Sequence, residues 1–160
     1  MRIRPLAFGA AALLSASVAT TSLAQGDADK AIAAAMKARQ SHMQLYAYNL
    51  AVLGGMAQEE IDYDSAMAQA AADNLLALAS LDQSRYWPQG SDSDSVEGSR
   101  ALPALWEDMP GVMSAAEDFS MAVEMMADVA GTDLASLQGA MGDLGAGCGG
   151  CHRNFRLRDD

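Results

Sequence analysis

Between residues 29 and 58 larger apolar side chains recur at Ile32, Met36, Met43, Leu50 and Leu53, with Tyr46 among them, while alanine fills many of the gaps and proline is missing. That spacing predicts one long amphipathic helix. Gly54 and Gly55 weaken its end, and Glu59, Glu60, Ile61 and Asp62 read as the turn out of it. Met67, Ala71, Leu75, Leu78 and Leu81 predict a second helix over 63–81. An irregular stretch follows over 82–103, with Pro88, Gly90, a run of serine and aspartate, and Gly98. Neither flank alone could bury a core, so this stretch reads as a connection and not as a domain boundary.

Trp106 falls in a short turn before Pro110, which suits the first turn of a third helix. Phe119, Ala122, Val123, Met126 and Val129 give that helix an apolar face, and Gly131 is expected to end it. Thr132 is the expected N-cap of a fourth helix. Along it Leu134, Leu137, Met141, Leu144, Cys148, Cys151 and Phe155 alternate steps of three and four, so both cysteines lie on the apolar seam. Four helices, one long connection and no strand signal predict an all-α chain, an antiparallel four-helix bundle. Most of the methionines read as flexible core filler.

The fourth helix also carries Gly139, Gly142, Gly145, Gly147, Gly149 and Gly150. Each costs a helix about 0.5–1 kcal/mol relative to alanine. So many small residues imply that a flat, bulky group lies against this backbone.

Ahead of the first helix, Arg2 and Arg4 precede an apolar run over 6–18 that is too short to span a bilayer and is followed by Ser22-Leu23-Ala24. This is the pattern of a secretory signal peptide, residues 1–24, cleaved after Ala24 to leave one domain of residues 25–160. No other run approaches the roughly twenty apolar residues of a membrane span. The full chain has Lys+Arg 10 against Asp+Glu 21, a net charge of -11. Nucleic acid and anionic lipid are therefore repelled, and a redox partner, unidentified by sequence, would be one with a basic surface.

The explicit chemistry lies in Cys148-Gly149-Gly150-Cys151-His152, the C-x-x-C-H pattern of c-type haem attachment. Thiols three residues apart lie about one helical turn apart and can hold a porphyrin edge, and the next residue brings an imidazole to the iron as proximal ligand. A zinc site would need about four ligands, whereas there are two Cys, and the one other His, His42, is far away in sequence. A thioredoxin-like pair would sit near a βαβ pattern, which is not seen here. Export fits the haem reading, because c-type haem is attached outside the bacterial cytoplasm; a periplasmic location follows. Tyr86 and Trp87 begin the polar stretch and are expected to pack back, either on a haem edge or as a cap on the bundle.

These features together resemble the cytochrome c′ family, the class II c-type cytochromes. Arg39-Gln40-Ser41-His42-Met43 is similar to that family's R-Q-x-x-(apolar) segment, and the run from Cys148 to Arg156 is similar to its C-x-x-C-H-x-x-aromatic-Arg ending. The resemblance implies one haem c bound through Cys148 and Cys151, His152 as proximal iron ligand and Arg156 beside the proximal face. It places Arg39 and Gln40 at the haem propionates and Met43 on the distal side. It also implies a homodimer through the first two helices, where Ala47, Ala51, Gly54, Ala68 and Ala72 permit close approach.

Met43 separates two functions. If it only packs, five-coordinate iron binds NO or CO in an apolar pocket; if its thioether is the sixth ligand, the protein is a dedicated low-spin electron carrier. The expectation is the first, with electron transfer in addition and without enzymatic turnover, for want of a distal acid or base. His42, one residue from Met43, points about 100° away from it and is expected on the surface or at a helix interface.

Overall fold

Three of the helices open on an aspartate whose carboxylate accepts a backbone N–H three residues on, a contact each time worth about 1 kcal/mol. The protein is described here from a computed structural model covering the backbone of residues 17–158 and the side chains of residues 26–158, so most of the expected leader lies outside the described residues. The helices are α1 (Ser17–Ala57), α2 (Ser65–Ala79), α3 (Ala104–Glu107), α4 (Met109–Val129) and α5 (Leu134–Phe155). Asp64 caps α2 through Met67 N at 2.7 Å, Asp108 caps α4 through Gly111 N at 3.0 Å, and Asp133 caps α5 through Ser136 N at 2.8 Å. Asp133 therefore replaces Thr132 as the cap of the fourth long helix, while Thr132 N closes a turn onto Val129 O at 3.0 Å.

Helix ends differ from expectation for identifiable reasons. α1 runs through Gly54 and Gly55 and ends in a Schellman motif: Glu59 N bonds Met56 O at 3.0 Å and Glu60 N bonds Gly55 O at 2.8 Å. The left-handed residue of that motif is Glu59, at φ 60°, and not a glycine. Gly131 does not adopt the left-handed conformation either. Its N–H bonds Gln69 Oε1 at 3.2 Å, and a Cβ there would stand 2.6 Å from the same oxygen, so a side chain at this position would displace the Gln69 amide. Trp106 lies within the short helix α3 and not in a turn.

The four long helices form a ring in which α1 packs on α2, α2 on α4, α4 on α5 and α5 on α1. The core holds Leu53, Met56, Leu75, Val123, Met126, Leu137 and Leu144, all fully buried, with alanines letting the helices approach. Ala68 and Ala72, expected at a dimer contact, are fully buried within this core. A second, smaller cluster joins Ala101, Leu105 and Phe155 to Trp87, Trp106 and Cys151 at the other end of α5. There the connection between α2 and α3 is stitched to the end of α5 by Leu102 N to Phe155 O at 2.9 Å and Leu157 N to Arg100 O at 2.8 Å. Among the described residues no strand forms beyond the isolated bridge between Ala101 and Arg156. No helix among them is long and apolar enough to cross a membrane.

One of the α5 glycines is explained by helix packing: a Cβ on Gly147 would lie 2.9 Å from the Cα of Phe119 on α4. Gly139, by contrast, has nothing within 4 Å of that point. Gly147→Ala is expected to destabilise the protein by about 1–3 kcal/mol through overpacking against backbone. Gly139→Ala is expected to stabilise it by about 0.5–1 kcal/mol. Paired thermal or denaturant melts read the two signs, and a Gly147→Ala protein as stable as the parent would contradict the packing account.

Candidate haem site

α5 carries Cys148, Cys151 and His152 to the end of the bundle where α1 passes beneath the irregular connection. The two thiols are half-buried and are not joined in a disulfide. Burial pushes both above the ordinary thiol pKa, and each thus favours the protonated form; at Cys148 the neighbouring Cys151 adds to this. Cys151 belongs to the small cluster with Trp87 and Phe155. His152 is exposed on the last turn of α5. Protein crowding around its imidazole, then the charges of Arg156 and Arg100, hold it below the usual histidine pKa and favour the neutral ring that a metal ligand requires.

The opposite wall is α1. Arg39, His42 and Tyr46 occupy its inward face, three and four residues apart. Arg39 is 4% exposed, and its guanidinium is committed to the connection above it: Nη1 donates to Ser91 Oγ at 2.7 Å, and Nη2 donates to Ser91 O at 2.6 Å and to Ser99 Oγ at 2.8 Å. A longer contact from Nη1 reaches Tyr86 O at 3.4 Å, and the guanidinium carbon stands 5.0 Å over the Trp87 ring. Gln40 Nε2 donates to Gly98 O at 3.1 Å. Arg39 and Gln40, expected at haem propionates, here hold the connection. Trp87 in turn accepts through its carbonyl from Trp106 Nε1 at 3.1 Å, so the Tyr86-Trp87 segment folds onto α1 and the end of α5.

Of the two neighbours Met43 is the more exposed, while His42 lies at a packed interface, one of the two places expected of it. Met43 is 36% exposed and belongs to neither buried cluster. His42 is 4% exposed, and its ring is held edge-on by Tyr46, centroids 4.6 Å apart, and by Tyr86 at 5.6 Å. Burial lowers the His42 pKa and so favours the neutral ring. Tyr46 also meets Phe119 edge-on at 5.1 Å, and burial above all pushes its hydroxyl up to about 12; Gln83 opposes this, while Cys148 and Tyr86 add to it. His42 Nε2 and Tyr46 Oη are both buried without a hydrogen-bond partner; Gln83 approaches the hydroxyl without closing a bond.

These residues fit a c-type haem. Two neutral thiols and a neutral imidazole line α5, and facing them α1 presents aromatic rings together with polar atoms that the protein leaves unsatisfied. The zinc alternative finds no ligand set: among the described residues no group of three His, Cys, Asp or Glu could hold a metal ion. His42 and Tyr46 as polar wall residues went unread in the sequence, although 39, 42, 46, 49, 53 and 56 trace a helical face.

Comparison with known proteins agrees with this geometry. The family profile described as Cytochrome C′ matches residues 34–156. A cytochrome c-554 of Cereibacter sphaeroides is 49% identical over 124 residues, covering 78% of this chain and 93% of that protein. Among solved structures, a cytochrome c′ from Rhodobacter Spheriodes superposes with a TM-score of 0.78 at 32% identity, covering 80% of this chain and 98% of that one. A carbon monoxide-bound variant of the cytochrome c′ from Alcaligenes xylosoxidans superposes with a TM-score of 0.67 at 27% identity, covering 78% and 94%.

Arg39→Ala removes a buried cation with several hydrogen bonds and is expected to cost about 2–3 kcal/mol. Trypsin-independent proteases should then cut within 86–99 before the helices are attacked. Arg39→Lys should recover little, because an ammonium cannot reproduce the fork. Limited proteolysis with mass mapping checks both, and an equally resistant connection in Arg39→Ala would refute the role.

Proposed function

Because this chain belongs to the cytochrome c′ family, in which covalent c-type haem is implied, we propose that it is a periplasmic mono-haem cytochrome with five-coordinate iron that binds NO or CO and exchanges single electrons. In this reading residues 1–24 are the cleaved leader and residues 25–160 the mature bundle. The haem supplies a redox-active iron and a coordination position for small ligands. Cys148 and Cys151 would hold the macrocycle through thioether bonds to its two vinyl groups. His152 provides the proximal nitrogen, kept neutral by its surroundings and by Arg156 and Arg100.

The observation that carries the reading is the placement of Met43. At 36% exposed and outside both clusters, its thioether is not fixed by packing within the protein, which supports a side chain that rests over the iron without ligating it. The inward face of α1 presents His42 and Tyr46, which are aromatic and biased toward their neutral forms. In this reading the distal side is open to small neutral ligands, and no catalytic turnover is assigned to it. The bound carbon monoxide of the related cytochrome c′ variant supports the same use of the iron. The acidic surface suits a basic redox partner. A homodimer through α1 and α2 would use the exposed Leu45, Tyr48 and Met67, in place of the buried Ala68 and Ala72.

Visible absorption and electron paramagnetic resonance of the ferric and dithionite-reduced protein should give high-spin spectra that shift promptly with CO, unchanged in Met43→Ala. Low-spin spectra indifferent to CO, turning high-spin in Met43→Ala, would replace this reading with a His/Met electron carrier. Light scattering at micromolar concentration should report a dimer that Tyr48→Glu splits; a monomeric parent would remove the dimer from the proposal.

A further inference from the structure

Against the expectation that most methionines fill the core, α4 turns its methionines outward. Met109, Met113, Met121 and Met125 are 47%, 62%, 52% and 48% exposed, and on this helix only Met126 is buried. Residues 113, 117, 121 and 125 follow one another four apart and form a ridge, with the exposed carboxylates of Glu117, Asp118, Glu124 and Asp128 in it or beside it. No Lys, Arg or His occurs from 101 to 151, so nothing on α4, or on α5 as far as Cys151, offsets that charge. A depression of about 530 Å³ opens around Met113 and Glu117. Thioether side chains are apolar, unbranched and polarisable, so a row of them adapts to an opposing surface. An exposed apolar row rimmed by charge marks an interaction site.

The inner side of the same helix meets the segment that carries the cysteines. A Cβ on Gly147 would stand 2.9 Å from the Cα of Phe119, so the α4 backbone lies against α5 one residue before Cys148. Glu117 and Met121, two residues to either side of Phe119, leave the helix about 200° away from it. The outer ridge therefore stands about one helix diameter, about 10 Å, from that turn of α5. Charge selects what covers the ridge, because a second copy would set carboxylates against carboxylates and an anionic membrane is repelled. We propose that the outer face of α4 is the docking surface for a redox protein that presents Lys or Arg around an apolar patch. Its cations meet Glu117, Asp118 and Glu124, which steers the encounter, and its apolar patch seats on Met113 and Met121. One electron then crosses α4, lost by the reduced protein and gained by the oxidised partner. This rests on the electron-exchange part of the function proposed above and gives that exchange a place on the surface.

The test uses the haem-loaded, full-length protein with two probes, a basic mitochondrial cytochrome c and an acidic plastocyanin. Stopped-flow mixing of the reduced protein with each oxidised probe should give a second-order rate that is larger for the basic probe and falls as salt is added. Glu117→Lys/Asp118→Lys should lower the rate with the basic probe about tenfold. Met113→Ser/Met121→Ser should lower it about threefold and keep its salt dependence. Glu60→Lys/Asp62→Lys makes the same change of net charge beyond the far end of α4, where Tyr63 meets Ala130, and should leave the rate near that of the parent. Far-UV circular dichroism and the haem absorption spectrum confirm that each variant is folded and loaded. With both proteins oxidised, so that no electron moves, amide shifts in nuclear magnetic resonance on adding the basic probe should concentrate over residues 113–125. Shifts concentrated on another face, or an equal loss of rate from the two charge reversals, would overturn the inference while electron exchange stands. A dimeric parent that Met113→Ser/Met121→Ser makes monomeric would put a second copy on α4 and overturn it as well. If neither probe takes an electron, the electron-exchange reading itself fails and the inference falls with it.

Discussion

A single buried cation organises the functional end of this bundle. Arg39 lies almost wholly out of solvent with no carboxylate bonded to it, a situation that is unfavourable unless hydrogen bonds replace the lost water. The connection between α2 and α3 supplies them from Ser91 and Ser99, with the Trp87 ring beneath the guanidinium. Burial lowers the Arg39 pKa and Asp92 partly restores it. The requirement works in both directions: the guanidinium needs the connection folded over it, and the connection, rich in Ser, Asp and Gly, has little apolar surface of its own to fold around. The same dependence helps to place Tyr86 against His42, while Trp87 beside Cys151 is held in addition by the small apolar cluster at the end of α5.

The architecture was legible because it depends on period. The step of three and four along α5 placed Leu137, Leu144 and Phe155 in the interior as expected, and the long stretch over 82–103 was recognisable as a connection from its composition. Caps and exact faces were less legible. Thr132 and Asp133 are both good caps, and only the geometry of the turn onto Val129 decides for the aspartate. At residues 42 and 43 the same helix admits two readings: Met36, Met43 and Leu50 form one apolar row, while His42, Tyr46, Asn49 and Leu53 form another. An apolar side chain is the natural choice for the interior, yet the ring contacts offered by Tyr46 and Tyr86 favour burying the imidazole. The Tyr86 contact comes from a segment more than forty residues away, which local pattern cannot report.

The partners of Arg39 were hidden for a similar reason. A serine in a polar run reads as solvated, and nothing local marks Ser91 as fully buried. At the site itself the shifts have a common sense despite their different chemistry. The thiols of Cys148 and Cys151, the imidazoles of His42 and His152 and the phenol of Tyr46 are all biased toward their uncharged forms, burial being the first cause each time. A strongly acidic protein thus keeps a pocket of neutral groups, with the cations of Arg100 and Arg156 placed at its edge by the bridge between Ala101 and Arg156.

The Arg39 contacts can also be viewed as a crosslink. One side chain joins α1 to residues 86, 91 and 99, dividing a long excursion of the backbone into short arcs. Entropy of closure rises with arc length, so such division is what a disulfide commonly provides in an exported protein. Here the chain has two cysteines, Cys148 and Cys151, and neither is joined to the connection. A guanidinium tied to serine oxygens restrains the backbone without drawing on either cysteine.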